Sequence, residues 1–189
     1  MKESSKAMER RLNSEKGSFF SKIFKGKGID IGAGDDLIKV PDICRFDMED
    51  GDANHLDQYF PEESFDYIHA SQCLEHMRDP ESALKSWLKV LRKGGFAIIS
   101  VPSWELYEGM IWPSRFNPDH KTTFSLWQKD SPAPNHVKLP EWLANFNCEI
   151  VYCDLIDTNY NYKIGTRVDQ TYPYENRVEA FIEFVLQKR

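Results

Sequence analysis

Apolar residues fall into short runs separated by polar or glycine-rich turns, and the period of each run tells helix from strand. Residues 1–25 begin charged and turn aromatic. Met8 and Leu12 are followed by Phe19, Phe20, Ile23 and Phe24 at the spacing of a short amphipathic helix, to be packed on a sheet edge or laid over a ligand as a lid. Ile29 and Ile31 mark a short buried strand that runs into Gly32-Ala33-Gly34-Asp35-Asp36. Only Asp35 to Val40 is then available before Pro41, which cannot sit inside a helix, so the first crossover is abbreviated. Ile43 to Phe46 forms a second strand ending at Asp47, and Ser64 to Ala70 another, with Ser71, Gln72 and Cys73 at its carboxyl end. Between them either a strand is lost or residues 47–56 form one compact turn.

Residues 79–95 carry the clearest helix. Asp79 suits the N-cap, Pro80 the first helical position and Glu81 the positive end. Leu84, Trp87, Leu88 and Leu91 form one buried stripe, and Gly94 supplies the stop before a strand over Phe96 to Val101. Prolines 102, 113, 118, 132 and 134 then preclude regular structure over much of residues 102–138. Trp104, Tyr107, Trp112, Phe116, Phe124 and Trp127 make that stretch too apolar for disorder, so it reads as a binding cap inserted at the sheet's carboxyl edge. Leu139 to Phe146 reads as a short helix, Glu149 to Ile156 as a strand, Asp157 to Asn176 as a polar tyrosine-rich connection, and Arg177 to Gln187 as a last strand. The pattern predicts one α/β domain over residues 1–189: a doubly wound, mostly parallel sheet closed by a C-terminal antiparallel hairpin.

Composition narrows the function. A net charge of −6 argues against sequence-independent nucleic-acid binding. The N-terminal region has no uncharged apolar run, so neither an export signal nor a membrane span is expected. Cys44, Cys73, Cys148 and Cys153 form no C-x-x-C pair and read as reduced, cytoplasmic thiols that bind no metal.

The loop after the first strand is where such sheets bind nucleotides. It lacks the Gly-Lys-Ser/Thr ending of a phosphate-binding loop, and Asp35 and Asp36 would repel the pyrophosphate of a dinucleotide, which disfavours a nicotinamide oxidoreductase. An acid-x-Gly-x-Gly loop beginning at Asp30 instead suits a ligand with a cationic amine and a sulfonium, S-adenosylmethionine.

Residues 28–36 resemble motif I of class I S-adenosylmethionine-dependent methyltransferases, and the resemblance continues in order through Phe65-Asp66-Tyr67, Cys73-Leu74-Glu75-His76 and Leu91-Arg92-Lys93-Gly94-Gly95. It covers residues 28–103 and is closest to the small single-domain members. Asp36 stands where the family often has a third glycine. The resemblance implies a Rossmann-like fold and methyl transfer. It places Asp30, Gly32, Ala33 and Gly34 at the methionine end of the cofactor, Asp47 on the ribose and Asp52 with Ala53 at the adenine. Ser71 and Gln72 fall at the crevice.

Methyl transfer to a hydroxyl or amine needs a proton removed, for which histidine is the usual agent near neutral pH. His120 in the cap is the preferred base, with Asp119 beside it to orient it. His76 is the second candidate, although Glu75 and His76 could equally serve the local turn. Glu75, His76, Asp119 and His120 could be assembled into a metal site, but nothing in their spacing fixes a coordination geometry, so no metal is expected. Aromatic residues beside Arg115, Asn117 and Asp119 suit a small-molecule or saccharide acceptor. The competing reading is a non-catalytic S-adenosylmethionine-binding module or partner subunit, and the sequence leaves the oligomeric state open.

Overall fold

The computed structural model describes residues 3–189. In chain order the elements are α1 (Glu3–Asn13), α2 (Gly17–Ile23), β1 (Gly28–Ile31), β2 (Ile43–Phe46), β3 (Phe65–Ser71), α3 (Pro80–Val90), β4 (Leu91–Pro102), β5 (Thr123–Ser125), β6 (His136–Lys138), α4 (Leu139–Leu143), β7 (Cys148–Ile156) and β8 (Phe181–Lys188). Six strands form one sheet in the order β2-β1-β3-β4-β8-β7. The first four run parallel, while β8 is antiparallel to both β4 and β7, the expected closing hairpin. The ends of β1, β2, β3 and β4 therefore open onto one edge, where the loops beginning at Gly32, Asp47, Gln72 and Ser103 meet.

No helix joins β1 to β2, as the proline at position 41 requires, and residues 47–58 make a compact turn ending in a 3-10 segment, Ala53–Gln58. The missing crossover would leave one face of the sheet bare. The N-terminal helices cover it instead: Met8, Phe20, Ile23 and Phe24 pack on Tyr67, Ile98 and Val185 near the middle of the sheet rather than at its edge. Alternation along each strand sends Ile68, Ala97, Ile99, Phe184 and Leu186 to the other face, against Leu84, Trp87, Leu143 and Phe146 of α3 and the α4 region. Ser5, in the first turn of α1, donates its backbone N–H (2.8 Å) to Asp36, which places that carboxylate at the positive end of the helix. Asp36, out of pattern for a glycine loop, thus ties the loop to α1.

One boundary departs from expectation. The helix ends at Val90, and Leu91 already has extended backbone and pairs with Phe65. Gly94 lies within the irregular start of β4 and is not the helix stop. Leu91 is fully buried, and Arg92 is drawn outward to Asp66 (2.6 Å), so packing and an ion pair end the helix a turn early. The last strand also starts later than expected, at Phe181. The four cysteines are free, and among the described residues no helix is long and apolar enough to cross a membrane.

Under α1 lies a chain of buried charges. His69 Nδ1 donates to Asp30 Oδ1 (2.6 Å), and Arg11 Nη1 donates to His69 Nε2 (2.8 Å). Arg11 Nε donates to Glu183 Oε2 (2.8 Å), which Arg10 also reaches (2.7 Å). Asp30, His69, Arg11 and Glu183 are all almost wholly buried. Burial alone would raise the Glu183 carboxyl, but the Arg11 and Arg10 charges overcome it and hold it at about 2. A depressed folded value means stability that is present above the ordinary carboxylate range and lost as pH falls from about 4.5 through about 2. The shift corresponds to about 3 kcal/mol. Glu183→Gln is therefore expected to unfold about 3 kcal/mol more readily in urea at pH 7, with the gap closing as the pH approaches 2. A gap that persists unchanged at low pH would show that the loss is one of packing rather than charge.

Candidate active site

Two cavities open along the carboxyl edge of the sheet. The larger, about 770 Å³, is lined by Gly32, Asp47, Met48, Gly51, Asp52, Ala53, Asn54, Gln72, Cys73, His76, Met77, Arg78, Asp119 and Lys121. The second, about 470 Å³, lies under the cap and is lined by Glu75, Tyr107, Phe116, Asn117, His120, Asp169 and neighbours. Gln72 and His76 line both.

The larger cavity is shaped by the glycine loop. Gly32 (φ +71) and Gly34 (φ +53) take left-handed conformations. A Cβ on Gly32 would strike the Cys73 side chain at 2.8 Å, whereas one on Gly34 would meet nothing within 4 Å. The loop thus lies tight against the β3 turn while its backbone stays bare. Asp47, at the end of β2, accepts the Gly34 N–H (2.5 Å) and pins the loop from the other side. Asp52 caps the 3-10 segment by accepting the Asn54 N–H (2.9 Å). Hydrogen bonds from the Asn54 side chain and backbone, with Arg78 nearby, hold its carboxyl below the ordinary range. Met48, Ala53 and Met77 supply apolar walls.

Of the residues expected to hold a cofactor, Gly32, Asp47, Asp52, Ala53 and Gln72 line this cavity. Asp30 does not. Strand alternation points it to the α1 face, where it is fully buried and engages His69 and the Ile38 N–H (3.0 Å). Ala33 is buried beneath the loop, Gly34 serves through its bond to Asp47, and Ser71 pairs with Ser100 (3.0 Å) inside the sheet.

The cap is docked through backbone. Lys121 and Thr122 donate their N–H groups to the Glu75 carbonyl (2.8 and 3.1 Å), and Phe124 joins the main core. This docking brings His120 to Glu75 and His76, with the two imidazole rings 5.0 Å apart. The expected pairing of His120 with Asp119 is not the one the fold makes. His120 Nδ1 bonds Glu108 Oε1 (2.6 Å), and Asp119 Oδ2 instead pairs with His76 Nδ1 (2.9 Å). Successive residues at 119 and 120 point apart, one to the surface and one inward, so the neighbour in sequence is not the neighbour in space. Burial alone would lower His120, but its hydrogen bond to Glu108 and the charge of Glu75 outweigh this and raise it. Burial raises the Glu75 carboxyl, opposed by His76 and His120.

Glu108 was not foreseen: a lone acid among aromatic residues reads as exposed, and only the closed loop reveals it as the buried partner of His120. Asp169, Tyr172 and Tyr174, from the tyrosine-rich connection, also line the second cavity. The signal for them was the tyrosine content of that stretch, unusual for a solvated connection. Tyr160 anchors it by donating to the Leu106 carbonyl (3.0 Å).

The model of a methyltransferase domain family matches residues 6–152. That span is most of the chain, which therefore belongs to this family. No curated protein matches it significantly. Among solved structures it is similar to an S-adenosylmethionine-dependent methyltransferase from Archaeoglobus fulgidus (15% identity, 98% of this chain and 95% of that one, TM-score 0.62). It is also similar to one from Mesorhizobium loti (14%, 92% and 97%, 0.54). A third is a Thermotoga maritima protein described as a possible histamine N-methyltransferase (19%, 98% and 88%, 0.55). At such identities the likeness establishes the Rossmann-like fold. The protein is a methyltransferase, and the bare glycine backbone, the carboxylate at the end of β2 and the apolar walls fit S-adenosylmethionine as its cofactor.

If Asp47 holds the ribose, Asp47→Ala is expected to weaken S-adenosylhomocysteine binding by about 1.5–3 kcal/mol in calorimetry, with the fold retained in circular dichroism. Unchanged affinity would assign the ribose to another group.

Proposed function

We propose that the enzyme methylates a hydroxyl or amine on a small-molecule or saccharide acceptor seated in the cavity beneath residues 104–124. The observation that carries this reading is that the two cavities meet at Gln72 and His76. A donor in one and an acceptor in the other would face each other across those two side chains. S-adenosylmethionine supplies a methyl group on a sulfonium sulfur, open to displacement by a nucleophile arriving in line. Asp47, Asp52 and Ala53 would hold the adenosine half, and the backbone at Gly32 the methionine end, toward Gln72. Asp30 is assigned the different task of bracing the loop from behind.

The acceptor's proton is removed at the cluster of Glu75, His76 and His120. Because Nδ1 of His120 faces the Glu108 carboxylate, its Nε2 is the nitrogen with a lone pair turned toward Glu75 and the cavity. Tyr107 and Phe116 wall the cavity and exclude water, which would otherwise compete as a nucleophile. Glu3, Glu75 and Asp169 line it, and no lysine or arginine does so among the described residues, which supports a small acceptor without phosphate groups rather than a nucleic acid. The reduced cysteines fit a cytoplasmic enzyme.

The test is release of S-adenosylhomocysteine during incubation with S-adenosylmethionine and panels of hydroxylated, amino and saccharide compounds. Given an acceptor, His120→Ala is expected to keep cofactor affinity and lose about 10²–10⁴-fold in kcat. Full activity in that variant would remove the cluster from the chemistry, and loss of cofactor affinity together with the fold would make it structural.

A further inference from the structure

The two histidines of the cluster share an arrangement that proton transfer alone does not require. Each turns Nδ1 to a carboxylate, His76 to Asp119 (2.9 Å) and His120 to Glu108 (2.6 Å). Each Nε2 then faces the same atom, Oε1 of Glu75, at 3.8 Å from His76 and 3.9 Å from His120. These spacings are too long for hydrogen bonds. Glu75 is fully buried, and neither of its carboxylate oxygens has a hydrogen-bond partner. One donor atom from each of the three residues lies within 4.8 Å of the other two.

Two imidazole nitrogens and a buried carboxylate aimed at a common point call for a proton or a metal cation between them, and spacings of 3.8 and 3.9 Å are too long for a shared proton. We propose that Glu75, His76 and His120 bind a divalent first-row transition metal ion, for which zinc is the best-matched probe, with its open coordination positions facing the cavity under the cap. Two imidazoles and one carboxylate are a donor set for such ions, whereas magnesium and calcium prefer oxygen ligands throughout. The outer carboxylates support the choice, since a metal-binding histidine commonly donates its other ring N–H to a carboxylate. Distances agree. Ligands on tetrahedral zinc stand about 3.4 Å apart, while acceptors around an ammonium group stand about 4.6 Å apart. The two spacings to Glu75, 3.8 and 3.9 Å, lie nearer the metal value.

The site also has a mechanical consequence. Glu75 and His76 belong to the turn after β3, and His120 to the cap, so a shared ion staples cap to core. Its role toward the acceptor rests on the methyl-transfer reading above: a bound ion would occupy the His120 Nε2 lone pair and, in place of that base, would hold the reacting oxygen or nitrogen beside Gln72 and make its proton more acidic. The binding itself does not.

The experiment uses the full chain, stripped with a chelator and titrated calorimetrically with Zn²⁺ and separately with Mg²⁺, alongside melting curves. One Zn²⁺ per chain, a raised melting temperature and no response to Mg²⁺ are expected. Glu75→Gln and His76→Ala should each weaken zinc binding at least 100-fold. Asp119→Asn, at an exposed position, should leave the metal-free melting temperature unchanged and weaken binding roughly tenfold. A folded wild-type protein that takes up no Zn²⁺ would overturn the proposal, as would uptake unaffected by Glu75→Gln and His76→Ala. Titrating S-adenosylhomocysteine into the same samples separates the two claims. Cofactor binding without zinc binding refutes the metal site alone, and zinc binding without cofactor binding upholds it while removing the methyl-transfer reading.

Discussion

The buried chain from Asp30 through His69 and Arg11 to Glu183 sets the terms for the rest of the structure. It follows from a short connection. With no helix between β1 and β2, one face of the sheet must be covered by other means, and α1 and α2 do this from the N-terminus. They bring Arg11 into the interior, and a buried guanidinium is tolerable only where anions meet it. Glu183 meets it from β8 and His69 relays it to Asp30 on β1. The residue that opens the glycine loop is thereby braced from beneath, and Asp36 fastens the far end of the loop to α1. The N-terminal helices thus hold the glycine loop at both ends, through Arg11, His69 and Asp30 and through Ser5 and Asp36.

A second constraint organises the chemistry. The cap hangs from the Glu75 carbonyl by two backbone hydrogen bonds, which also fixes where His120 arrives. Two carboxylate–histidine pairs then form, His76 with Asp119 between segments 43 positions apart and His120 with Glu108 within the cap. One pair is at the surface and one is buried, yet both converge on Glu75. That convergence gives the cavity under the cap a charged end that a merely aromatic pocket would lack.

Much of the fold was legible because local rules and tertiary demands agree there. Pro41 forbids a helix, the alternation of β4 and β8 demands two covered faces, and Asp79-Pro80 starts α3 where capping chemistry places it. The glycine loop and Asp47 were readable for the same reason. The helix end at Val90 was not, because the pairing of Leu91 with Phe65 depends on a strand distant in sequence. Asp30 was assigned to the ligand by its motif, whereas strand alternation and the unforeseen Arg11 turn it inward. The pairing of His120 with Glu108 lay beyond sequence reasoning, since it depends on how a proline-interrupted loop closes across twelve positions.

The account stands most directly on the claim that donor and acceptor cavities face each other at Gln72 and His76. A crystal structure with S-adenosylhomocysteine tests it. The account predicts adenosine between Asp47 and Ala53 and the sulfur beside Gln72, opening toward His76 and the cavity under the cap. A sulfur directed away from that cavity, or a ligand seated elsewhere, would contradict it.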